Sequence, residues 1–518
     1  MSNWLQEKVM VKKLITLITL ASLSLPIPLI PANAAVKPGG ACTKAGITSV
    51  ASSKTYTCIK SGKKLVWDKG ILTTSNNAIS FKSFCDSDPL VPAEWKKLQD
   101  WALKYNGCVY SFRYVPGPTV FETPAEKITE VSALKSTDYC KLTNAGNTST
   151  NRRGFPMNDN FTPTKRANIQ VLGVSFKDAP DLDNPMVDHA AEITLFTDTL
   201  KNVSDLVINP VVKRVDKYIQ LPKNVEEYKL YEHLPNTELF SKDVIAAWDP
   251  EIDFSDVDYV LIFAPDTLYV QQYNRAVGFR NFKTAEKQIR AVAAAGPLLS
   301  DGTNRNNQYE GMTQNQWLPG MPAALIHEGI YHLMGLDDHL ANEMYLSRNS
   351  PNPSNWDDLG TGMWGNMSGM QGELLTWDKW TIGFVADTQV RCAPSDSSTT
   401  HWLRPSSSKG SFEKLLVIPL SATQGIAVES RRSTGYNYKY PKASEGALVY
   451  TIDTTETRHG YGMYVKPPAQ RATNRQGNGF SRGDAALKKG ESVTVSGVKI
   501  SVINSGSFGD VVKVEKVG

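Results

Sequence analysis

The chain has 518 residues, of which 41% are hydrophobic and 21% charged, and its formal net charge is +4. That length suits two to four domains with ample core, and the composition is that of a globular protein, which excludes a wholly disordered or fibrous chain. So small a net charge argues against nucleic-acid binding driven by bulk electrostatics.

Residues 1–34 read as a secretory signal peptide. Lys12 and Lys13 precede an apolar run from Leu14 to about Ile30, and Ala32-Asn33-Ala34 supplies small residues for cleavage. Met10-Val11-Lys12-Lys13 makes a tidier start than Met1. Removing this segment takes away Lys8, Lys12, Lys13 and Glu7 and leaves a charge of +2. No second apolar stretch is long enough to span a bilayer. The mature chain is therefore expected to be secreted, in solution or held at the cell surface by other means.

Six cysteines fit an oxidising compartment. Cys42 and Cys58 stand close together and apart from the rest, so they are expected to pair. Cys85, Cys108, Cys140 and Cys392 allow three connectivities. The favoured one is Cys85–Cys108 with Cys140–Cys392, the latter tying together the two ends of a catalytic domain. No cysteine has zinc-knuckle spacing.

Residues 35–75 form a small Lys- and Gly-rich disulfide module. Its Tyr56, Lys60, Lys63, Lys64 and Trp67 could hold a cell-wall polymer, and an ordinary β-module surface explains them equally well. Residues 76–160 form an accessory or pro-region-like segment with its linker. Trp95, Leu98, Trp101, Ala102 and Tyr105 follow Pro92 at helical spacing. Residues 144–160 read as an exposed linker, with Arg152-Arg153 as a cut site.

Residues 161–393 alternate strands and helices. Ile169–Phe176 and Tyr259–Ala264 are apolar runs of strand type. Ala285–Ala295 is expected to be a helix capped by Thr284. Asp178, Asp181, Asp183 and Asp188 form an acidic stretch, and Asp249, Asp253, Asp256 and Asp258 form another. Calcium favours such compositions, and so does any solvated turn. An active-site helix is expected from about Met321 to Met334, with Pro322 in its first turn and the Gly- and Asn-rich residues 302–311 bordering a cleft.

That helix carries His327-Glu328-Gly329-Ile330-Tyr331-His332, then Gly335, Asp338 and His339. In H-E-x-x-H, histidines four apart share one helical face and can grip one zinc ion, while the Glu acts as general base toward the metal-activated water. Here His327 and His332 are five apart. On a regular helix that is about 140° of rotation, too much for two zinc bonds. A single π-turn absorbs one extra residue, and Gly329 inside the insertion permits unusual backbone angles. In the rival register the helix stays regular and Glu328 with His332 form the metal pair. Gly335 lets the helix stop and the chain turn back to deliver a third ligand, Asp338 or alternatively His339.

From residue 394 the pattern changes to short strands and turns: Leu415–Leu420, Gly425–Arg431, Ala447–Asp453, Ser492–Ser496, Val498–Ile503 and Val511–Val517. This reads as an all-β, sandwich-like C-terminal domain spanning 394–518. His189, His233, His401 and His459 read as structural or exposed. Ser411-Phe412-Glu413-Lys414 matches S-x-x-K by letters alone. No G-x-S-x-G, P-loop or dinucleotide fingerprint is present.

The helix motif resembles that of the M6-type, immune-inhibitor-A-like secreted zinc metalloproteases, which are metzincin-like and carry H-E-x-x-H-x-x-G-x-x-D. Trp364-Gly365-Asn366-Met367-Ser368-Gly369 is similar to that group's W-D-x-M-S-G segment, with Gly365 in place of Asp. The stretches Leu375–Phe384, Ala427–Arg432, Gly435-Tyr436, Gly446–Tyr450 and Ile169–Phe176 resemble further parts of the family, so the match covers roughly residues 160–518. The resemblance implies a metzincin-like α+β catalytic domain over residues 161–393, with Met367 as its Met-turn. It also implies a zinc endopeptidase acting on extended protein or peptide segments, with zinc on His327, His332 and Asp338 and with Glu328 as base. Two other readings stay open: a catalytically inactive, protease-like surface-binding protein, and a metal hydrolase acting on a cell-wall bond.

Overall fold

A computed structural model describes, with short breaks, residues 37–72 and 114–517; the longest spans outside the description are 265–276, 295–324, 340–358, 361–372 and 472–483. The signal segment, Cys85, Cys108, the 92–105 helix, Pro322, residues 302–311, Asp181, Asp183, His233, Asp338, His459 and Met367 lie outside the described residues, as does the side chain of His327. Among the described residues no helix is long and apolar enough to cross a membrane.

The chain divides into two compact units, one ending at Asn76. In the first, β2 (Lys54–Ser61) pairs antiparallel with β1 (Thr48–Ala51), β3 (Lys64–Trp67) and β4 (Ile71–Leu72). Gly62 takes φ +62° in the two-residue turn between β2 and β3, where a glycine is unhindered. A Cys42–Cys58 disulfide and buried Trp67 supply the small core that so short a sheet cannot build alone.

The second unit is built on two sheet assemblies. The first sheet has the order β6-β5-β8-β10-β9, formed by β5 (Arg166–Ser175), β6 (Asn209–Lys213), β8 (Tyr259–Phe263), β9 (Val277–Lys283) and β10 (Gln288–Ala294). A short β7 (Tyr218–Gln220) also pairs with β5. All are parallel except β9, which runs antiparallel to β10 and is the edge strand among the described residues. The near-continuous apolar runs of β5 and β8 reflect a sheet covered on both faces. Alternate residues point opposite ways. Ile169, Val171, Tyr259, Leu261 and Val292 meet helix α1 (Ala190–Val203) through Ile193, Phe196 and Leu200. Leu172, Val174, Val260 and Ile262 meet helix α2 (Thr237–Trp248) through Phe240, Val244 and Trp248.

The helix expected over Ala285–Ala295 is instead β10, paired on both sides. Its alanines favour a helix locally, but Ile289, Ala291 and Ala293 pack on one face and Val292 on the other, and tertiary pairing overrides propensity. Thr284 caps no helix. Its hydroxyl donates to the Lys287 carbonyl at 2.9 Å and accepts from the Lys287 N–H at 3.2 Å, locking the turn between β9 and β10.

The second assembly is two stacked sheets. One has the order β11-β17-β16-β15-β14-β12: β11 (Leu359–Gly360), β12 (Val390–Cys392), β14 (Leu415–Pro419), β15 (Gln424–Arg431), β16 (Gly446–Asp453) and β17 (Met463–Val465). The other is β13-β20-β19-β18: β13 (Thr399–Leu403), β18 (Ser492–Val495), β19 (Val498–Gly506) and β20 (Gly509–Lys516). Leu416, Ile426 and Val428 of the first meet Leu403, Ile500 and Val512 of the second. The far face of the larger sheet, with Leu415, Val417 and Tyr450, packs on Trp377 and Trp380 of helix α3 (Thr376–Thr381).

Residues 114–145 run along this assembly as a strap. Val115 bridges Gly435, Thr129 exchanges hydrogen bonds with Thr400, Thr143 donates to the Ala422 carbonyl, and a disulfide joins Cys140 to Cys392. The expected exposed linker is firm where it is described. Arg153 is only 4% exposed, its carbonyl accepts from Trp377 Nε1 at 2.8 Å, and Phe155 stacks edge-on against Trp380. The Arg152-Arg153 site thus has a buried second residue, because the chain here fills the space beside α3.

Candidate metal centre

Leu325 and Ile326 are helical, and over His327–His332 the helix widens into a π-helix, whose hydrogen bonds close i→i+5. Residues five apart therefore stand one turn apart, as a pair four apart does on an ordinary helix. The rival register, with Glu328 and His332 as the metal pair, assumed a regular helix, and the turn here is a π-turn. Ile330 and Tyr331 are buried against the first sheet, while Glu328 and His332 are half-buried.

Gly329 has a different role from the one its permissive backbone implied. Its φ lies outside the left-handed region, and a Cβ there would meet Phe196 Cε2 at 2.8 Å and Val292 Cγ1 at 3.2 Å. The glycine lets the widened turn press against α1 and β10.

The helix ends at Gly335, with φ +85°. The Gly335 N–H donates to the His332 carbonyl, and the Leu336 N–H donates to the Tyr331 carbonyl, both at 3.0 Å. This is the paired closure of a Schellman motif, and Leu336 buries its side chain in the same core as Ile330. The closure brings the Leu336 carbonyl to 3.0 Å from His332 Nδ1. A carbonyl only accepts, so Nδ1 carries the proton and the neutral ring holds its lone pair on Nε2. That tautomer suits a metal ligand.

Glu328 lies within electrostatic reach of Tyr259 on β8. Burial, and then the charge of Glu328, push the Tyr259 hydroxyl well above its ordinary range. The fully buried phenol of Tyr259 therefore stays protonated at all ordinary pH within the field of the base candidate.

His339 does not stand at an open position. It is buried, and its Nε2 lies 3.4 Å from Oδ2 of Asp378, itself 4% exposed at the side chain. Asp378 belongs to α3, whose first N–H, from Thr376, donates to Glu429 of β15 at 2.5 Å. The next residue, Lys379, is wholly buried and pairs with Glu373 at 2.6 Å and Asp205 at 3.3 Å. Lys409 and Lys414 also reach Asp205. Burial raises the Asp205 pKa, but the three lysines outweigh it and hold the group down at about 2. Asp205, at the end of α1, is thereby welded to α3 and to the loop before β14.

The remaining candidates have local partners. Asp178 accepts from the Val225 N–H and Asp188 from the Tyr218 hydroxyl. Asp249 holds the Ala285 N–H, Asp253 the Ser255 N–H, Asp256 the Lys213 ammonium and Asp258 the Asn168 N–H. His189 is buried and stacks on Phe263 at 4.5 Å. His401 accepts from Arg391 at 2.9 Å, and burial followed by that cation lowers its pKa to about 3. Of the S-x-x-K letters, Glu413 pairs with Arg404 and Lys414 with Asp205. Among the described residues, no three His, Cys, Asp or Glu side chains converge as a metal cage. Asp378, Glu429 and Asp205 have no local sequence signal, since each acts on a segment distant in the chain. Neither a family model nor a curated protein matches the chain.

Proposed function

We propose that the chain is a secreted zinc endopeptidase with a metzincin-like catalytic region over residues 161–393. The observation that carries this is the π-turn at His327–His332, since H-E-x-x-x-H is a workable ligand spacing only on such a turn. The tautomer of His332, set by the Leu336 carbonyl, fits a zinc ligand. His327, His332 and Asp338 would hold the ion. His339, occupied with Asp378, is the weaker candidate for the third position. Bound zinc supplies Lewis acidity toward a scissile carbonyl and acidifies the attacking water.

The chain's own residues supply the rest. Glu328 accepts a proton from the attacking water and returns it to the leaving amine nitrogen. Buried Tyr259, which feels the Glu328 charge, stays neutral and adds no competing negative charge. The substrate would be an extended segment. Strand β9 lies against the π-turn and among the described residues is paired on one side only, with β10, and such an edge can add an extended peptide as a further strand. Four disulfide-bonded cysteines among the described residues accord with an extracellular setting.

Casein digestion by the wild-type chain and by Glu328→Ala tests the proposal. Digestion by the wild type alone supports it. Equal digestion by both proteins, or by neither, removes the peptidase reading and favours a binding protein or a hydrolase of a cell-wall bond.

A further inference from the structure

The net charge of +4 conceals a polarity along the chain. Residues 35–76 hold seven lysines and one acidic residue, Asp68, a charge of +6. Residues 1–34 contribute +2, so residues 77–518 carry −4. In that larger part 46 basic residues nearly balance 50 acidic ones, as on an ordinary solvated surface. The unit that ends at Asn76 is the exception, a cationic body with a core of its own.

Its fold gathers the charge at one end. In the β2–β3 hairpin Lys60 stands opposite Leu65 and Ser61 opposite Lys64, with Gly62 and Lys63 in the turn. The Cys42 N–H donates to the Leu65 carbonyl at 3.2 Å. Lys44 follows two residues later, within about 7 Å of chain from that row. Lys44, Lys60, Lys63 and Lys64 are all exposed, and among the described residues none of them makes an ion pair. Asp68 lies past the far end of β3. Four extended residues put it about 13 Å along the strand from Lys64. That exceeds a Debye length of about 8 Å at physiological salt, so it does little to neutralise the tip.

We propose that this hairpin end binds a phosphodiester-linked anionic polymer of the cell surface, held by charge through Lys44, Lys60, Lys63 and Lys64. The surroundings of the four lysines select that class. Trp67 is 7% exposed and packs with Cys42, Cys58 and Leu65, so its ring is core and no stacking platform for a neutral sugar or a base. Ile59, at 44%, is the one large apolar side chain exposed among the described residues of the unit, too little to seat it in a bilayer. What is left is a group of ammonium ions on flexible stems. Such point charges suit single anions repeated along an irregular chain, and they need no fixed fork geometry. The surface is independent of the zinc reading, and it would hold the exported chain against an anionic wall.

The test measures binding of the full mature chain to immobilised polyglycerol phosphate. Four lysines on four phosphates give a salt slope of about −3, so raising salt from 50 to 200 mM is expected to weaken wild-type binding about 50-fold. Replacing all four lysines by Gln is expected to abolish it, and replacing all four by Arg to preserve it. Lys177, Lys201, Lys229 and Lys242 are exposed lysines of the larger unit, and their joint replacement by Gln is expected to change nothing. An intact Cys42–Cys58 disulfide, read by mass, reports that the hairpin has folded in each variant. Should the fourfold Gln variant fail to fold, Lys63→Gln alone is expected to lower the salt slope by about 0.7. Equal binding by wild type and the hairpin variants overturns the proposal, as does equal loss in the control set or binding indifferent to salt. Tighter binding to phosphatidylglycerol vesicles or to a single-stranded oligonucleotide than to polyglycerol phosphate also overturns it, and assigns the lysines to a membrane or a nucleic acid.

Discussion

Gly329 is pressed so closely against Phe196 that a Cβ on the glycine would lie 2.8 Å from the ring's Cε2. In an ordinary helix interior, Gly→Ala gains about 1 kcal/mol. Here the methyl must push apart α1, β10 and the π-turn, and overpacking of this kind costs about 1–3 kcal/mol. Gly329→Ala is expected to lower the midpoint of denaturant unfolding and to weaken metal binding together. An increase in stability would show that the contact yields freely.

Glu328→Gln is expected to leave the fold and zinc content unchanged and to slow peptide hydrolysis about 10²–10⁴-fold, the usual contribution of a general base. Zinc analysis beside the kinetics distinguishes a lost base from a lost ion. Full activity in this variant would assign the base elsewhere.

Asp205 holds three lysines together, and Lys379 among them is wholly buried. Asp205→Asn removes the shared counter-charge and is expected to cost about 3–5 kcal/mol, the effect of breaking a buried ion pair on one side. The folded carboxyl titrates at about 2, below its ordinary 3.8. Its contribution, about 2 kcal/mol, is therefore full above pH ~4 and disappears as pH falls toward the folded value. Urea unfolding of wild type and variant between pH 2 and 6 checks this. The gap between them should narrow toward the acid end by about 2 kcal/mol.

Much of this was legible in the sequence, and the misses have physical causes. The strands β5, β8, β14, β15, β16, β18, β19 and β20 announce themselves as apolar or alternating runs between turn residues. β10 does not, because its alanines speak for a helix until β8 and β9 pair with it. Helix α1 carries a stripe at helical spacing, Ile193, Phe196, Leu200 and Val203, a signal weaker than the histidine motif. The spacing of His327 and His332 dictated a π-turn, if both were to share a face. The Leu336 carbonyl, Asp378 and Glu429 could not be inferred, since backbone acceptors and long-range caps leave no pattern in letters.

The strap over residues 114–145 is expected to remain in the mature protein. Arg153 is buried, and Cys140 is bonded to Cys392 across 252 residues. A cut near Arg153 would therefore leave the strap covalently attached. Intact mass of the secreted protein, before and after reduction, checks this. Replacing both cysteines by serine should cost about 2–5 kcal/mol. A mature chain that begins after Gly154, with no disulfide-linked fragment, would contradict the retained strap.

One widened turn is proposed to let His327 and His332 serve the same ion. Elemental analysis of the purified mature protein, reconstituted with excess zinc and then dialysed, tests it most directly. About one zinc per chain is expected, falling toward none in His332→Ala. A wild-type chain that retains no zinc, or a variant that retains as much as the wild type, contradicts the account.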